Sequence, residues 1–507
     1  MQLKKIVLAV AATLAAGQAF AAPVTPTDIA AARTAGTLQE TWLSGASAPT
    51  YNIYQGFALG CDANSMSLYN SGTSTTAVKP GSTGNFNGYA CTRAGVVSVM
   101  YHTLDGGSFN AYAPHVANDV DGDGIFGVTA LKRVKAIDNN ATCALIAATY
   151  GGIPVYRSCA TVTPTAANVL TEVTPALKPP ALPAGGFSDV EAALWGVDVS
   201  AAGAEAQANV GQVFGLAVST NLYRELQVAQ GIYASVAAAN AADPSFDPAN
   251  APNITSAQYV SMAAQSSGYQ TDWSPILGAA GTGKAVNVAR RVNTSGTQAS
   301  SNAFFLKNPC NGSPSVLGAL SPATAADSVP GNLVVTEGSG TGNVKVALTS
   351  ANTAGEFAIG VVSLENDWRV ETGITNNQYR FVKVDGVHPE TGSWDGVTLN
   401  SNGTPYYTAR PTALNGEYAF HMEMRSFVAN TADAFGAALI PAISAALGNP
   451  AACTDVPRGL TLSPLGGASC NYPGQTVGLP AAELASLPEV AKGTRFGNNC
   501  QAPQMFY

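Results

Sequence analysis

Charged side chains are scarce in this sequence, at 11% of 507 residues with a net charge of -8. Nucleic-acid phosphates favour clustered Lys and Arg, so this composition argues against a nucleic-acid partner. Only four histidines occur, none in an H-E-x-x-H zinc pattern, and the chain contains no G-x-S-x-G nucleophile motif. Because hydrolytic and metal chemistry have so little support, we predict that the protein is not an enzyme.

Long apolar runs are also lacking, since no stretch beyond the N-terminus reaches the roughly 18 residues that a membrane-spanning helix needs. We therefore predict no membrane insertion. At the N-terminus, Lys4 and Lys5 precede the shorter apolar run Ile6–Ala16, and Ala19 and Ala21 provide a small-residue cleavage site. This order is typical of a secretory signal peptide over residues 1–21, cleaved after Ala21. Since no cysteine follows that site to accept a lipid, a periplasmic or secreted product is expected.

The cysteines number eight, and none lies in a C-x-x-C pattern of the kind used for zinc, redox or haem chemistry. An even count in an exported chain predicts structural disulfides. Sequence alone does not define the pairing. Nearest neighbours in the chain suggest Cys61 with Cys91, Cys143 with Cys159, and Cys453 with Cys470, leaving Cys310 and Cys500.

Strand and helix signals alternate along the chain, which predicts an α/β fold with a mostly parallel sheet. A strand at Glu40–Leu43 runs through a Ser/Gly/Ala turn into a helix at Tyr51–Leu59, and a strand at Ala285–Arg291 runs through a polar turn into a helix at Gln298–Leu306. The first N–H groups of a helix have no partner within it, so each such turn suits an anion.

The segment Arg291 to Thr297, with the sequence Arg-Val-Asn-Thr-Ser-Gly-Thr, resembles the anion-binding turn of the periplasmic phosphate-binding proteins of ABC transporters. In that family an Arg four residues before Ser-Gly-Thr binds phosphate. Other segments resemble the family in the same order along the chain, and the likeness covers about half of it: Gly45–Pro49, Phe187–Asp189, Ile254–Trp273 and Phe357–Val362.

The resemblance implies a two-lobed, type 2 periplasmic-binding-protein-like fold in which each lobe is a mostly parallel sheet flanked by helices. Lobe 1 would comprise residues 36–212 and a return segment, 356–507, with a C-terminal extension; lobe 2 would comprise residues 213–355. Residues 64–180 hold a disulfide-rich insertion without a counterpart in the family. The implied function is reversible binding of phosphate or a similar oxyanion between the lobes, and the implied protein partner is an ABC permease.

An oxyanion removed from water needs many hydrogen-bond donors, and the proposed ligand set supplies backbone N–H groups, hydroxyls and one guanidinium. Ala48 stands where the family has Phe, so a ligand larger than phosphate is compatible with the site. Asp189 either faces the anion or caps a helix that starts at Val190. The predicted ligand-binding residues are Ser47, Ala48, Ser108, Asp189, Arg291, Ser295, Gly296 and Thr297.

A separate acidic segment begins like a calcium-binding loop, with Asp119, Asp121 and Asp123 at ligand positions 1, 3 and 5. Ala130 stands at position 12, where an EF-hand needs a bidentate Glu, so a full EF-hand is excluded. A weaker structural calcium site and a plain acidic turn both remain open, and no other cofactor is predicted.

A second class of function also fits the sequence. The long Gly-, Ser- and Asn-rich loops and the insertion at residues 64–180 suit a secreted structural or surface-interaction protein that kept the binding-protein fold without transport.

Overall fold

The structure is a computed structural model that describes 22–75, 80, 84–116, 131–135, 143–163, 182–264, 272–310, 333–369, 378–390, 411–447, 459–463, 468–469, 472–473 and 490–505. The predicted signal peptide, the proposed calcium ligands Asp119, Asp121 and Asp123, and the pair Cys453 and Cys470 lie outside these residues. Within them, no helix is long and apolar enough to cross a membrane.

The described residues contain strands and helices throughout. The strands are β1 Gln39–Gly45, β2 Ser67–Asn70, β3 Phe86–Arg93, β4 Val96–Thr103, β5 Arg133–Val134, β6 Ala144–Tyr150, β7 Ile153–Arg157, β8 Thr161–Val162, β9 Gly185–Ser188, β10 Gly203–Ser219, β11 Asn253–Ile254, β12 Val286–Arg291, β13 Leu333–Gly338, β14 Phe357–Ser363, β15 Tyr379–Phe381, β16 Lys383–Val384, β17 His421–Ala429, β18 Leu460–Leu462, β19 Ala468–Ser469, β20 Tyr472–Pro473, β21 Gly493–Thr494 and β22 Gln504–Met505.

The α-helices are α1 Pro26–Ala35, α2 Thr50–Ala58, α3 Thr220–Ala229, α4 Val236–Ala242, α5 Ser256–Ala263, α6 Ser274–Leu277, α7 Gly296–Ser301, α8 Thr341–Thr353, α9 Pro411–Leu414 and α10 Ala434–Leu447. Short 3-10 helices occur at Ser108–Ala111, Ala113–His115, Ala192–Trp195, Pro248–Asn250 and Gly278–Gly281, and a π-helical turn at Asn302–Leu306 follows α7.

The chain divides into two compact units, and the larger comprises residues 42–56, 104–131 and 182–507. Its strand order is β13-β12-β14-β10-β17-β9-β1. Strand β12 is parallel to both β13 and β14, and β9 is parallel to β1. The stretch Val213–Val218 of β10 is buried at every position, which is the pattern of a strand covered on both faces.

The predicted α/β class is confirmed, but the sheet is mixed rather than mostly parallel. Strand β10 runs antiparallel to β14, β15, β17 and β18, and β17 runs antiparallel to β9. Strand β10 is buried at every position from Val210 onward, whereas its first part is mostly exposed or half-exposed. Small apolar and polar residues alternate along Ala204–Val210, as on a strand with one exposed face, but periodicity carries no information on strand direction.

The smaller unit comprises residues 1–41, 57–103 and 132–181. Its strands follow the order β4-β3-β2-β7-β6, and the pairs β3–β4, β2–β3 and β6–β7 are antiparallel. The described part of the insertion at residues 64–180 is therefore largely an antiparallel sheet. The domain limits 36–212, 213–355 and 356–507 stay a prediction.

Three disulfides are present among the described residues: Cys61–Cys91, Cys143–Cys159 and Cys310–Cys500. The two nearest-neighbour pairs and the remaining long-range pair are therefore confirmed. The third bond links residues 190 positions apart. It connects the C-terminal segment to the residues that follow the π-helical turn Asn302–Leu306.

Removing the long-range disulfide should destabilise the protein more than removing either short one. A cross-link stabilises a fold by restricting the unfolded chain, and longer loops restrict it more, typically by about 2–4 kcal/mol. We expect the double replacement Cys310→Ser and Cys500→Ser to lower the thermal midpoint more than the same replacement of Cys143 and Cys159, whose loop spans 16 positions. Equal or reversed midpoint losses in a calorimetric scan would count against this loop-length argument.

Candidate anion-binding site

Three neighbouring parallel strands of the larger unit end at one sheet edge. Arg291, the last residue of β12, is in register with Gly338, the last residue of β13, and Val292 donates its backbone N–H to the Gly338 carbonyl at 3.1 Å. Strand β14 runs parallel to β12 and ends at Ser363. The carboxyl ends of parallel strands are where α/β proteins bind ligands, so side chains beyond these strands define the candidate site.

Arg291 is buried at this edge, with 6% of its surface exposed. Its Nη1 donates to Thr341 Oγ1 at 2.9 Å and its Nη2 donates to the Ser339 carbonyl at 2.8 Å, whereas Nε has no hydrogen-bond partner. Burial lowers the pKa of the guanidinium, and the nearby carboxyl groups of Asp189 and Glu365 act in the opposite direction. An arginine at ordinary pH keeps its charge, so a cation is held at the sheet edge.

The Ser-Gly-Thr turn after β12 opens helix α7 as predicted. Ser295 is the N-cap in an extended conformation, and its side chain makes no capping bond. Ser295 and Thr297 are buried, at 1% and 4% exposure. The first N–H groups of a helix lack intrahelical acceptors, so this turn presents donors beside Arg291.

Asp189 and Ser108 lie directly against this turn. Ser108 Oγ donates to Asp189 Oδ2 at 2.8 Å. A Cβ on Gly296 would stand 2.4 Å from Asp189 Oδ2 and 2.5 Å from Ser108 Oγ, so only glycine permits this approach. The structure thus brings together Ser108, Asp189, Ser295 and Gly296 of the predicted set.

Hydrogen bonds to two backbone carbonyls of the turn hold this arrangement in place. Phe109 donates its N–H to the Thr294 carbonyl at 3.0 Å, and Trp195 Nε1 donates to the Asn293 carbonyl at 2.8 Å. Gly107, whose φ is +86°, faces Ser295, and a Cβ there would lie 3.0 Å from Ser295 Cα. Gly107, the second glycine of the Gly-Gly-Ser turn, is therefore required both by its positive φ and by the close approach of Ser295.

The Asp189 carboxyl group is electrostatically unusual. Burial raises its pKa to about 6, the hydrogen bond from Ser108 and the charge of Arg291 lower it, and Glu365 raises it further. Its Oδ1 atom is buried without a hydrogen-bond partner. A buried carboxylate oxygen with no donor is energetically unfavourable, so a ligand that brings a proton to it would be stabilised.

The alternative role of Asp189 as the cap of a helix at Val190 is wrong. The helical turn begins at Ala192, and its N-cap is Glu191. The Val190 N–H donates to Ser188 Oγ at 3.3 Å rather than to the Asp189 carboxylate.

Ser47 and Ala48 lie in the turn between β1 and α2, where Ser47 is exposed and Ala48 half-buried. Strands β1 and β9 are parallel with Gly45 opposite Phe187, so Ser47 and Asp189 each lie two residues beyond this matched pair at one sheet edge. No contact among the described residues joins Ser47 or Ala48 to Arg291 or Ser295. Their part in the site stays a prediction.

Sequence reasoning missed three residues that the fold brings to this edge: Ser339, Thr341 and Glu365. Burial raises the pKa of Glu365, which accepts a hydrogen bond from Ser363 Oγ at 2.7 Å. A signal for the first two was present, because Ser339-Gly340-Thr341 repeats the Ser-Gly-Thr of the first turn after another strand. Glu365 had no signal, because only the end of β14 places it near Arg291 and Asp189.

Comparisons with known proteins found no matching family model and no matching curated protein. Among solved structures, the chain is similar to a protein from Clostridium perfringens, solved with bound phosphate and described as a phosphate ABC transporter substrate-binding protein. The match has 14% identity and a TM-score of 0.24, and it covers 47% of this chain and 65% of the other. The match thus spans under two thirds of that protein's length.

Two further solved structures show the same level of similarity. PstS from Borrelia burgdorferi matches with 12% identity and a TM-score of 0.24, and an ABC-type phosphate transport receptor from Vibrio cholerae matches with 14% identity and a TM-score of 0.25. Each match covers 51% of this chain and 72% of the other. This chain is a mixed α/β protein.

Proposed function

We propose that this protein reversibly binds phosphate or a similar oxyanion at the site formed by Arg291, Asp189, Ser108 and the turn Ser295–Thr297. The observation that supports this best is that the buried cation Arg291 lies within electrostatic range of the buried Asp189 carboxyl, whose Oδ1 lacks a donor, beside a helix start. Such a site offers charge, N–H groups and hydroxyls to the anion oxygens, and an acceptor for a proton that the anion carries.

The proposed setting is outside the cytoplasm, because the signal peptide predicted at residues 1–21 would export the chain and three disulfides suit an oxidising compartment. We propose an ABC permease as the protein partner if the captured anion is transported, and simple binding without catalysis. Adjacent permease and ATPase genes would support transport, whereas their absence would favour the secreted surface-protein alternative.

Calorimetric titration of the mature protein with inorganic phosphate tests the binding function. The protein is first unfolded and refolded to remove carried-over anion, and its refolding is checked by circular dichroism. A saturable heat with one site per chain is expected. A refolded protein that gives no saturable heat with phosphate, arsenate or sulfate would overturn the proposal.

Asp189 should make the site select protonated anions. An ionised carboxylate accepts a hydrogen bond from phosphate, which keeps a proton near neutral pH, and repels sulfate, which has none. Because the folded protein releases the Asp189 proton near pH 6, sulfate affinity should be low above that pH and rise as the pH falls through it. Asp189→Asn should bind sulfate at least tenfold better at pH 8 and lose this pH dependence.

The Asp189→Asn comparison is made by titrating both proteins with sulfate and phosphate between pH 5 and pH 8. Glu365→Gln is the matched control, because it also removes a buried carboxyl near Arg291 but not the one in contact with Gly296. Identical sulfate curves for the wild-type protein and Asp189→Asn would remove Asp189 from the site.

A further inference from the structure

The turn Ser339–Gly340–Thr341 follows β13 as Ser295–Gly296–Thr297 follows β12, and each turn opens a helix. Adjacent strands lie about 4.7–4.9 Å apart, so the paired strand ends Arg291 and Gly338, from which the two turns continue, are neighbours at one sheet edge. Helix α8 is 13 residues long, and its cap closes through Gly340 N–H to Asn343 Oδ1 at 2.9 Å. The N–H groups of Thr341 and Gly342 remain without intrahelical acceptors.

The two turns differ in what faces them. The carboxyl of Asp189 lies against Gly296, so the first turn already faces an acidic group. The guanidinium of Arg291 points at the second turn through Nη1 and Nη2. Within the described part of the chain, no carboxylate lies at ion-pair distance from Arg291. A cation at the positive end of a helix is unfavourable unless an anion shares the position.

Thr341 can form a hydrogen-bonded bridge between Arg291 and a ligand. Its Oγ1 accepts from Arg291 Nη1, so its own hydroxyl hydrogen remains available for donation. Thr341 is half-exposed and Gly342 exposed. Apart from its chain neighbours and the backbone of its own helix, no described atom lies within 4 Å of the place where a Cβ on Gly342 would stand. The second turn therefore has donors, an adjoining cation and open space.

We infer that the Ser339–Thr341 turn is a second oxyanion subsite, and that the site accepts a ligand with two linked phosphoryl groups, one at each turn with Arg291 between them. The inference rests on the proposed anion-binding function and extends it. The phosphoryl group at the first turn would meet Asp189 and Ser108, and the group at the second turn would meet the Thr341 hydroxyl and the N–H groups of Thr341 and Gly342.

The test is calorimetric titration of the refolded mature protein with inorganic phosphate and with inorganic diphosphate. The wild-type protein should bind diphosphate at least tenfold more tightly than phosphate. Thr341→Val removes the hydroxyl and should reduce this ratio to near one, whereas Thr341→Ser should retain it. Thr353→Val, the same substitution at the far end of α8, is the matched control and should leave both affinities unchanged.

A second variant tests the subsite without disturbing Arg291. Gly342→Asp places a carboxylate in the open space at the start of α8, where an acidic residue also favours the helix. It should abolish the preference for diphosphate in a folded protein. If Thr341→Val lowers both affinities equally and Gly342→Asp changes neither, Thr341 only orients Arg291 and the second subsite is refuted. If neither anion binds the wild-type protein, the proposed function itself fails.

Discussion

Replacing Arg291 with alanine should lower phosphate affinity by at least about thirtyfold in a protein that still folds. Arg291 is the buried cation of the proposed site, and truncating one member of a buried, hydrogen-bonded charge pair costs about 2–5 kcal/mol of binding free energy. Lysine should not restore the affinity, because it lacks the planar fork that contacts Thr341 and the Ser339 carbonyl at once. Calorimetric titration of each refolded variant measures the loss.

Arg290 provides the matched control, because it is the preceding residue on the same strand and is also buried, at 7% exposure. Its Nε lies 3.4 Å from Glu337 Oε2 and donates to the Arg291 carbonyl at 3.0 Å, and its Nη2 donates to Asn293 Oδ1. Arg290→Ala should destabilise the fold at least as much as Arg291→Ala and bind phosphate far better. Phosphate affinity within threefold of wild type in folded Arg291→Ala would remove Arg291 from the site.

Replacing Asn499 with alanine should lower the free energy of unfolding by about 2–4 kcal/mol. Asn499 Nδ2 donates to Glu191 Oε2 at 2.6 Å and to the Glu423 carbonyl at 2.9 Å, and Asn499 Oδ1 accepts from the Glu423 N–H at 2.7 Å. All three residues are buried, so truncation leaves the Glu423 N–H, the Glu423 carbonyl and Glu191 Oε2 without these partners. Burial already raises the pKa of Glu191, and hydrogen bonds from Asn499 lower it.

The pH dependence of the stability loss tests whether Asn499 acts through the charged form of Glu191. Asn499 stabilises the ionised form of Glu191, so the stability lost in Asn499→Ala should be largest at neutral pH and shrink as acid protonates Glu191. Asn498→Ala is the control, because Asn498 is adjacent but exposed. Urea unfolding at pH 4 and pH 7 compares the variants. Equal losses at both pH values would show that the bond to charged Glu191 does not matter.

The position of Glu191 links this second network to the proposed site. Glu191 follows Asp189 by two residues, and both of its carboxylate oxygens accept from Asn499, which precedes the disulfide-bonded Cys500. The C-terminal segment therefore supports the loop that carries Asp189. The sequence predicted this segment only as a C-terminal extension, because a bond between positions 308 residues apart has no local signal.

Local patterns predicted the elements that hold the site. The apolar run before Arg291 predicted β12, and the polar turn with helical spacing after it predicted a helix, which begins at Gly296. These features depend on interactions between residues a few positions apart, such as side-chain alternation and helix capping. The strand and the helix can therefore be predicted from the sequence.

The sequence by itself determined the α/β class and the strand–turn–helix around Arg291, because each depends on neighbours along the chain, and it suggested the short-range disulfides without defining them. Only the tertiary structure decided which strands run antiparallel, that Ser108 meets Asp189 across 81 positions, and that Arg291 points at Thr341 across 50. Those outcomes depend on how strands pair and cross over. Periodicity specifies which face of a strand is buried, but not which strand lies beside it.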